Sequence, residues 1–484
     1  MKLLQYFMMT AFLLSTYTIL AQNNRSIKDE IKSVENNLER TLQIVGQPKQ
    51  TFSIEERMKL YNVPGMSIAV VEDGELRWAK GYGIANSKTG DKVDENTLFQ
   101  AGSISKPVAA LAVMKLYEEG KIDLDEDVNT YLKDWSIPKN KWDVDQKVTL
   151  RLLLTHSAGT TVHGFPGYKQ EDRFPSIIKV LQGKGNTDKV VLDTIPGTKW
   201  RYSGGGYTIM EKVVEDVSNM YLEDYMMDNL FKPLSMTRST YDQPIDTNEY
   251  HNISAAYDGN GEIVEGLWNN YPEQAAAGLW TTPTDLAKYC IEVQKGYNQN
   301  VDGVLKSSTI KTMLTKHLNE WGLGPSLEKE GDSLIFQHGG KNNGFTNNLR
   351  AYANLGRAVI VMTSADRGNE LINEVMLSIS EYYNWNLMKP RLIKTIDVSL
   401  EDLKKLVGDY RLDYKIPGIG NYDISFTIKD GMIIVEDPNE NSKSKLYPIE
   451  PNIFIDLESG NRFVFNPEEN KVVINNRFIF LLKN

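Results

Sequence analysis

Residues 108–117 form an almost continuous apolar stretch typical of a buried helix, and this stretch strongly restricts the possible folds. Pro107 stands directly before it, where a proline is tolerated because the first turn of a helix does not use that N–H group. Gly120 follows as a stop signal. We therefore predict a buried helix whose first turn lies close to Ser103.

Ser103 and Lys106 lie at the start of this predicted helix. Side chains three residues apart are neighbours on one helix face, so the Lys106 amine can accept the proton of the Ser103 hydroxyl and activate it as a nucleophile. The same Ser-x-x-Lys pattern also begins at Ser136, Ser176, Ser308, Ser326 and Ser442. The pattern alone therefore does not identify a catalytic serine, and the sequence around each match is needed to choose among them.

The composition indicates a globular protein. With 484 residues, 41% of them hydrophobic, the chain is long enough for two or three domains. Its formal net charge of -10 disfavours a nucleic-acid partner, because such proteins usually present a concentrated basic surface. Cys290 is the single cysteine, which excludes an internal disulfide, and we expect it to be buried on a helix. The five histidines lack the spacing of metal ligands, so we expect no metal and no other cofactor.

Residues 1–21 resemble a secretory signal peptide. Lys2 precedes an apolar stretch at residues 6–20, and Ala21 offers a small residue for cleavage. An uncleaved membrane anchor is the alternative, but several polar residues make the stretch barely long and apolar enough to span a bilayer. We expect a periplasmic or secreted protein with no stable membrane span after removal of the signal.

Residues 22–388 are predicted to form the first domain. A helix is expected where apolar residues recur at helical spacing: Ile31, Val34, Leu38, Leu42 and Val45. Strands are expected at 66–71, 76–79, 334–337, 347–353 and 358–363, with helices between the second and third of these. This order predicts an α/β (α+β) sandwich, in which helices flank an antiparallel sheet and an all-helical region is inserted.

Residues 389–484 are predicted to form a small all-β domain. Short β segments at 422–428, 432–435, 453–457, 463–465 and 472–482 are separated by glycine-containing turns. We expect an antiparallel barrel, lipocalin-like in form, or a sandwich. The segment shows no arrangement of groups that suggests a site, so we expect it to pack against or cap the first domain.

Two further segments carry side chains that could take part in a reaction with the serine. Tyr202 lies in a glycine-rich turn just before a predicted helix. His338 lies at the end of a predicted strand and is followed by Gly339 and Gly340, which allow a ligand to approach the backbone closely. With Ser103 first, Tyr202 second and His338 third, the three elements predict one site.

In this order the chain resembles the superfamily of serine β-lactamases and penicillin-binding proteins. The resemblance covers residues 22–385 and is strongest to the class C-like branch, which includes esterases and D-amino-acid peptidases. It implies a Ser-x-x-Lys motif at Ser103 and Lys106, a second motif at Tyr202, and a third at His338, Gly339 and Gly340. It also implies an oxyanion site formed by the backbone N–H groups of Ser103 and Lys341.

The expected roles follow from elementary chemistry as well. A free lysine is normally protonated at neutral pH, so Lys106 must have a lowered pKa or be assisted by a neighbouring group to act as a base. Tyr202 can share or relay the proton, and the sequence leaves open whether Lys106 or Tyr202 is the formal base. We expect His338 either to tune Tyr202 or to contact an anionic group of the substrate.

The second motif departs from the family pattern. Gly204 stands where family members have an asparagine that holds the amide of a β-lactam or peptide. Loss of this donor makes efficient β-lactamase activity doubtful and favours esters or D-amino-acid peptides and amides as substrates. We therefore count Gly204, with Gly339, Gly340 and Lys341, among the substrate-binding positions.

Three other segments need an interpretation. The sequence Lys88-Thr89-Gly90 matches a family motif by letter, but it precedes the nucleophile in a polar turn, so we expect a surface loop. His156 is expected to have a structural hydrogen-bonding role rather than a catalytic one. The aromatic, glycine-rich segment 163–168 either lines the cleft or forms a rigid surface loop, and both interpretations stay open.

Several functions remain possible from the sequence. The favoured one is an exported serine hydrolase with a small-molecule ester, amide or peptide substrate. A penicillin-binding or sensor protein, an acyltransferase and an inactive scaffold are alternatives with the same fold. A Ser-His-Asp hydrolase is weaker, because no Gly-x-Ser-x-Gly element surrounds Ser103. The natural substrate and the oligomeric state do not follow from the sequence.

Overall fold

The structure is a computed structural model that describes residues 26–142, 146–416, 420–439 and 442–483. The predicted signal peptide at residues 1–21 lies outside the described residues. Within the ranges described, no helix combines the length and the apolar character needed to cross a bilayer.

The first described segment corrects the predicted N-terminal helix. Helix α1 (Ile27–Glu35) begins at the cap Ser26 and ends ten residues before Val45. The rest of the segment forms the short strands β1 (Leu38–Glu39), β2 (Leu42–Ile44) and β3 (Thr51–Phe52), followed by helix α2 (Ile54–Leu60). The apolar side chains at helical spacing misled the prediction because Leu38 and Leu42 are buried by strand contacts instead.

A seven-stranded antiparallel sheet forms the centre of the first domain. In spatial order its strands are β6 (Asp91–Lys92), β5 (Glu75–Asn86), β4 (Gly65–Glu72), β12 (Ala358–Thr363), β11 (Phe345–Tyr352), β10 (Ser333–Asn342) and β9 (Ser326–Glu330). Strands β7 (Phe99–Gln100) and β8 (Trp280–Thr281) form a separate pair. All five strands predicted in this domain are confirmed, although β5 and β10 extend seven and five residues beyond their predicted ends.

Both faces of the sheet are covered, which explains why its central strands are buried throughout. Along β4, Met66, Ile68 and Val70 pack into one apolar core, while Ala69 and Val71 pack into the other. This alternation follows from the two-residue period of a strand. The predicted sandwich with helices on both sides of an antiparallel sheet is confirmed.

The helices between β6 and β9 form the predicted inserted region. They are α3 (Ser105–Glu118), α4 (Leu150–Leu154), α5 (Ile177–Leu181), α6 (Gly204–Ser218), α7 (Leu222–Met226), α8 (Pro283–Gln294) and α9 (Ser307–Met313), with π-helical turns at Met227–Phe231, Gln274–Gly278 and Lys295–Gln299. Helix α3 is the predicted buried helix, and Pro107 lies in its first turn. Cys290 lies on α8 as a buried free thiol, as expected. Helix α10 (Gly368–Tyr382) covers the opposite face.

The C-terminal segment is a closed eight-stranded antiparallel barrel, which confirms the barrel alternative. After β13 (Arg391–Ile393) and α11 (Leu400–Lys404), its strands are β14 (Gly408–Leu412), β15 (Asp423–Lys429), β16 (Met432–Asp437), β17 (Ser442–Glu450), β18 (Ile453–Asp456), β19 (Arg462–Asn466), β20 (Lys471–Ile474) and β21 (Phe478–Leu482). Strands β14 and β17 were not predicted. Residues 472–482, predicted as one β segment, form two strands.

The barrel is joined to the first domain by an ionic and an apolar contact. Arg57 of α2 forms salt bridges with Glu374 of α10 and with Glu458 of the barrel, and the Arg57 and Glu374 side chains are each 3% exposed. Nearby, β13 pairs in parallel with β2, and its Ile393 side chain belongs to an apolar cluster with Ile455 of β18. The barrel therefore lies against the helical side of the sheet that carries α2 and α10.

Candidate active site

The candidate nucleophile lies in a tight turn that leads into α3. Gly102, Ser103 and Ile104 form a 3₁₀ turn, and Gly102 has a φ of +54°, a region that favours glycine. A Cβ atom at Gly102 would lie 2.5 Å from the backbone nitrogen of Lys341. The absence of a side chain at Gly102 thus lets the turn and strand β10 approach each other closely.

Lys106 reaches the serine from the first turn of α3. Its Nζ atom lies 3.1 Å from Ser103 Oγ and donates a hydrogen bond of 2.7 Å to the carbonyl oxygen of Ala276. The side chain is 2% exposed, and burial lowers the pKa of Lys106 to about 7. A substantial fraction of this amine is therefore neutral near neutral pH and able to accept a proton.

Tyr202 lies on the other side of the serine, just before α6. Its hydroxyl oxygen is buried without a well-formed hydrogen bond, and its ring lies 5.0 Å from Lys106 Nζ. Burial raises the pKa of Tyr202, and the Ser103 hydroxyl offsets this effect only in part. Tyr202 is consequently a neutral phenol at neutral pH, placed beside the serine and the lysine.

His338 lies on β10 and faces the same cleft. Its Nδ1 atom is 2.6 Å from the Gly339 carbonyl oxygen, so Nδ1 carries the proton and Nε2 is left as an acceptor. Burial, assisted by the positive charge of Lys106, lowers the pKa of His338 to about 3. The imidazole is therefore neutral, and its buried Nε2 has no hydrogen-bond partner among the described residues.

Strand β10 brings its backbone alongside the serine. A Cβ atom at Gly340 would lie 1.9 Å from the carbonyl oxygen of Ala101, so the strand can lie this close only because residue 340 is glycine. Beyond the pair formed by Gln337 and Ser326, β9 no longer covers β10, and Gly339 and Lys341 are exposed. The Lys341 N–H group consequently lies next to the nucleophile turn.

These residues line one open cavity of about 690 Å³. Ser103, Lys106, Tyr202 and His338 all contribute to its wall, together with the backbone from Gly339 to Lys341. Aromatic side chains form much of the rest: His163, Phe165, Trp200 and Trp321. The structure thus brings together all the residues predicted for catalysis, although they lie up to 235 positions apart in the sequence.

This arrangement agrees with a comparison of the chain with known families. The model of the Beta-lactamase family matches residues 53–375, which include Ser103, Lys106, Tyr202 and His338. The chain belongs to the β-lactamase family. The predicted resemblance to serine β-lactamases and penicillin-binding proteins is therefore confirmed.

The chain is also similar in sequence to individual proteins and in fold to solved structures. The chain is 28% identical over 232 residues to a teichoic acid D-alanine hydrolase of Staphylococcus aureus, an alignment that covers 47% of this chain and 54% of that protein. The chain thus spans about half the length of the curated relatives it matches. Similar folds occur in the octameric penicillin-binding protein homologue of Pyrococcus abyssi (TM-score 0.60, 22% identity, 88% of this chain and 98% of the other) and in SurE with D-Leu (TM-score 0.55, 21% identity, 89% and 97%).

In this β-lactamase-family member, the glycine at position 204 is accompanied by an aromatic ring, that of Phe165, in the adjacent space. A Cβ atom at Gly204 would lie 2.8 Å from Cε2 of Phe165, and the Gly204 N–H group donates to the His163 carbonyl oxygen. The aromatic ring therefore occupies the space into which a longer side chain at position 204 would extend. Segment 163–168 lines the cleft through His163, Gly164 and Phe165.

His156 contacts two residues of the second motif, Tyr202 and Ser203. Its Nδ1 accepts a hydrogen bond of 3.1 Å from the Ser203 N–H group, and its ring lies 4.2 Å from that of Tyr202. Burial holds the pKa of His156 well below its usual value, so the ring is neutral. This contact fits the predicted hydrogen-bonding role. The Lys88-Thr89-Gly90 segment is an exposed turn before β6, as predicted.

Two groups at the site were missed by sequence reasoning. The Ala276 carbonyl, which orients Lys106, belongs to a π-helical turn held in place because Ser105 Oγ accepts a hydrogen bond from the Leu279 N–H group. A backbone carbonyl has no sequence signature, so nothing could have indicated it. Trp321 packs against Tyr202 and His338 from an irregular segment, where no periodicity marks an inward-facing side chain.

Proposed function

We propose that this chain is an exported serine hydrolase that forms an acyl-enzyme on Ser103 and acts on esters or D-amino-acid peptides and amides, with weak or no β-lactamase activity. The observation that carries the proposal is the contact between Lys106 Nζ and Ser103 Oγ, made by an amine whose pKa is lowered to about 7 by burial. An amine in this state can remove the proton that makes a serine hydroxyl a poor nucleophile.

In the proposed reaction, Ser103 Oγ bonds to the substrate carbonyl carbon while Lys106 takes the hydroxyl proton. The carbonyl electron pair moves to the oxygen, which the N–H groups of Ser103 and Lys341 stabilise. The carbonyl then re-forms and expels the alcohol or amine, which receives the proton through Tyr202. Water attacks the acyl-enzyme in the second half of the cycle, releasing the carboxylic acid and restoring the Ser103 hydroxyl.

His338 is proposed to act as a neutral acceptor in this cycle. A neutral imidazole with a free Nε2 can accept a hydrogen bond from the Tyr202 hydroxyl, whose ring centroid lies 6.1 Å away, or from a donor on the substrate. Attraction of an anionic substrate group has less support, because a pKa of about 3 leaves the ring uncharged at neutral pH. Of the two roles expected for His338, tuning of Tyr202 is favoured.

The substrate class is proposed from the second motif. Gly204 supplies no side-chain amide, and Phe165 fills the adjacent space, so an amide group of a β-lactam loses a donor there. A simple ester has no side-chain amide whose oxygen would need this donor, so its hydrolysis depends less on this position. The similarity to a teichoic acid D-alanine hydrolase supports a D-amino-acid acyl group.

The activity can be tested with purified protein and three substrate types: a short p-nitrophenyl ester, a D-alanine anilide with its L-isomer, and a chromogenic cephalosporin. We expect the ester or the D-anilide to be turned over faster than the cephalosporin. Ser103→Ala should abolish all turnover. Efficient cephalosporin hydrolysis would contradict the proposed substrate class, and turnover by Ser103→Ala would contradict the proposed nucleophile.

Export is proposed from the signal-like residues 1–21 and can be tested separately. Expression of the full chain in a Gram-negative host, followed by fractionation, should yield a periplasmic or secreted protein. Mass spectrometry should show that cleavage has occurred next to Ala21. An uncleaved, membrane-bound product would support the anchor alternative instead.

A further inference from the structure

A second cavity, of about 760 Å³, lies between one end of the C-terminal barrel and residues 60–62, 367 and 370 of the first domain. Barrels of eight strands are wide enough to be filled by side chains or to hold one small ligand. Cavities that bind drug-sized molecules have volumes of about 300–1,000 Å³. The barrel cavity therefore has the size of a small-molecule site.

One end of the barrel is packed and the other is open. At the packed end, Phe426, Phe454 and Phe465 make edge-to-face contacts, with ring centroids 5.0 Å apart for Phe426 and Phe465 and 5.6 Å apart for Phe454 and Phe465. The open end has an apolar inner surface that includes Tyr422, Ile424, Val435, Phe463, Ile474 and Phe478, and polar or charged residues form the rest of its lining. A cavity with such walls favours an apolar occupant, since apolar cavities tend to stay dry and to bind apolar molecules.

Charged groups of both signs surround the opening, with acidic groups in excess. The contacts are Glu458 with Arg40 and Arg57, Lys443 with Glu436, the Tyr422 hydroxyl with Asp437, and the Ser459 hydroxyl with Asp456. Arg367 and Glu370 add one charge of each sign. Hydroxyl donors leave the charges of Asp437 and Asp456 in place, so the excess of acidic groups at the opening disfavours an anionic ligand.

The barrel cavity lies next to the active cleft. Asp366 and Asn369 line the cleft that contains Ser103, whereas Arg367 and Glu370 line the barrel cavity. A single short segment, residues 366–370, thus contributes to the walls of both. A molecule bound in the barrel would lie on the opposite side of this segment from the cleft.

We propose that the open end of the C-terminal barrel is a binding site for one uncharged apolar molecule with an alkyl chain or an aromatic ring. The size of the cavity and its apolar inner surface support this ligand class, and the acidic groups at its opening disfavour an anion. The proposal does not depend on the hydrolase activity. It gives the barrel a role beyond packing against the first domain.

The test is a fluorescence titration of the full chain with N-phenyl-1-naphthylamine, an uncharged aromatic probe that brightens in apolar surroundings. We expect saturable binding with one site per chain. Ile474→Trp, which fills the cavity, should weaken probe binding by at least about tenfold. Ser444→Trp, on strand β17 of the same cavity wall, should do the same, and it keeps the test valid if the first variant misfolds.

Val473→Trp is the matched control. Val473 neighbours Ile474 on β20, and its side chain points to the opposite face of the strand, away from the cavity. Circular dichroism and thermal melts of each variant establish that it is folded. Unchanged probe binding by the control and weakened binding by a folded cavity variant would support the proposal.

Three results would overturn the proposal: absence of saturable binding, equal weakening by the control and the cavity variants, or binding unaffected by both cavity variants. A further control is treatment with a fluorophosphonate, which should label Ser103, before the titration. This treatment shows whether the probe binds in the active cleft instead of the barrel cavity. Loss of the probe signal after that treatment, with no effect of Ile474→Trp, would place the probe in the active cleft and contradict the barrel site.

Discussion

At the scale of single residues, the two candidate bases differ in the direction of their pKa shifts. Burial lowers the pKa of Lys106 to about 7, whereas burial raises the pKa of Tyr202 above its usual value. Near neutral pH, the amine is therefore partly deprotonated and the phenol is not. We infer that Lys106 takes the Ser103 proton and that Tyr202 passes a proton to the leaving group.

The pH dependence of activity follows from this assignment. The active form of Lys106 is the neutral amine, so its fraction falls as the pH drops below about 7. We expect kcat/KM for an ester to decrease about tenfold per pH unit on the acid side and to level off above the pKa. Initial rates measured from pH 5 to 9 check this. A pH-independent rate across this range would contradict a lysine base.

Removal of the amine gives a second prediction. Lys106→Ala should lower kcat by about 10²–10⁴-fold, the usual contribution of a general base. Lys139→Ala is the control, because Lys139 belongs to another Ser-x-x-Lys match and lies on the surface. Equal activity of the two variants would exclude Lys106 from the reaction.

The contact between Gly204 and Phe165 predicts a coupled effect. Gly204→Asn alone should lower activity on every substrate, because the new side chain meets the Phe165 ring. Phe165→Ala combined with Gly204→Asn frees the space and restores an amide donor. This double variant should raise the ratio of anilide to ester turnover by about tenfold, the value of one hydrogen bond, relative to Phe165→Ala alone. An unchanged ratio would show that position 204 does not set the substrate class.

At the scale of secondary-structure elements, the close packing of β10 on the nucleophile turn is testable through its glycines. Gly340→Ala places a methyl group against the Ala101 carbonyl and should push the Lys341 N–H group away from the serine. Loss of one oxyanion donor costs about 10²–10³-fold in kcat. Gly259→Ala is the control, because Gly259 does not line the cleft and a Cβ atom there would lie 3.9 Å from its nearest neighbour. We expect a far smaller loss for the control, and equal losses would contradict this role of Gly340.

Elements with strong local signals were predictable from the sequence. Pro107 and the apolar residues after it marked α3, and short apolar runs beside glycine-containing turns marked β4 and β12. The segment from Leu38 to Val45 was not predictable, since its apolar spacing fits a helix while contacts with distant strands hold it extended. Strand β17 was missed because its first half, rich in serine and lysine, has little apolar character.

At the scale of the whole molecule, the order of three motifs was enough to find the candidate site. The elements around the motifs could be predicted one by one, and the family resemblance indicated how they assemble. The contact of Arg57 with Glu374 and Glu458 could not be predicted, because it joins residues more than 300 positions apart through tertiary packing alone. The barrel cavity was unpredictable for the same reason. We propose that residues 22–388 and 389–484 are the two domains joined by this contact.

The ionic contact at the domain junction predicts a stability effect. Arg57→Met leaves the buried Glu374 carboxylate without its cation and should lower the free energy of unfolding by about 3–5 kcal/mol. Arg151→Met is the control, because its partner Asp125 has a side chain that is 62% exposed, and its loss should cost at most about 1 kcal/mol. Chemical denaturation of both variants measures the difference. Equal effects would show that the junction contact adds no stability.

Acylation of Ser103 by way of Lys106 is tested most directly by mass spectrometry of the protein after brief exposure to a fluorophosphonate at pH 7.5. We predict one adduct per chain, located by peptide mapping on Ser103, and a labelling rate that falls by at least about a hundredfold in Lys106→Ala. An adduct on another residue, or equal labelling rates for Lys106→Ala and the wild-type chain, would contradict the assignment.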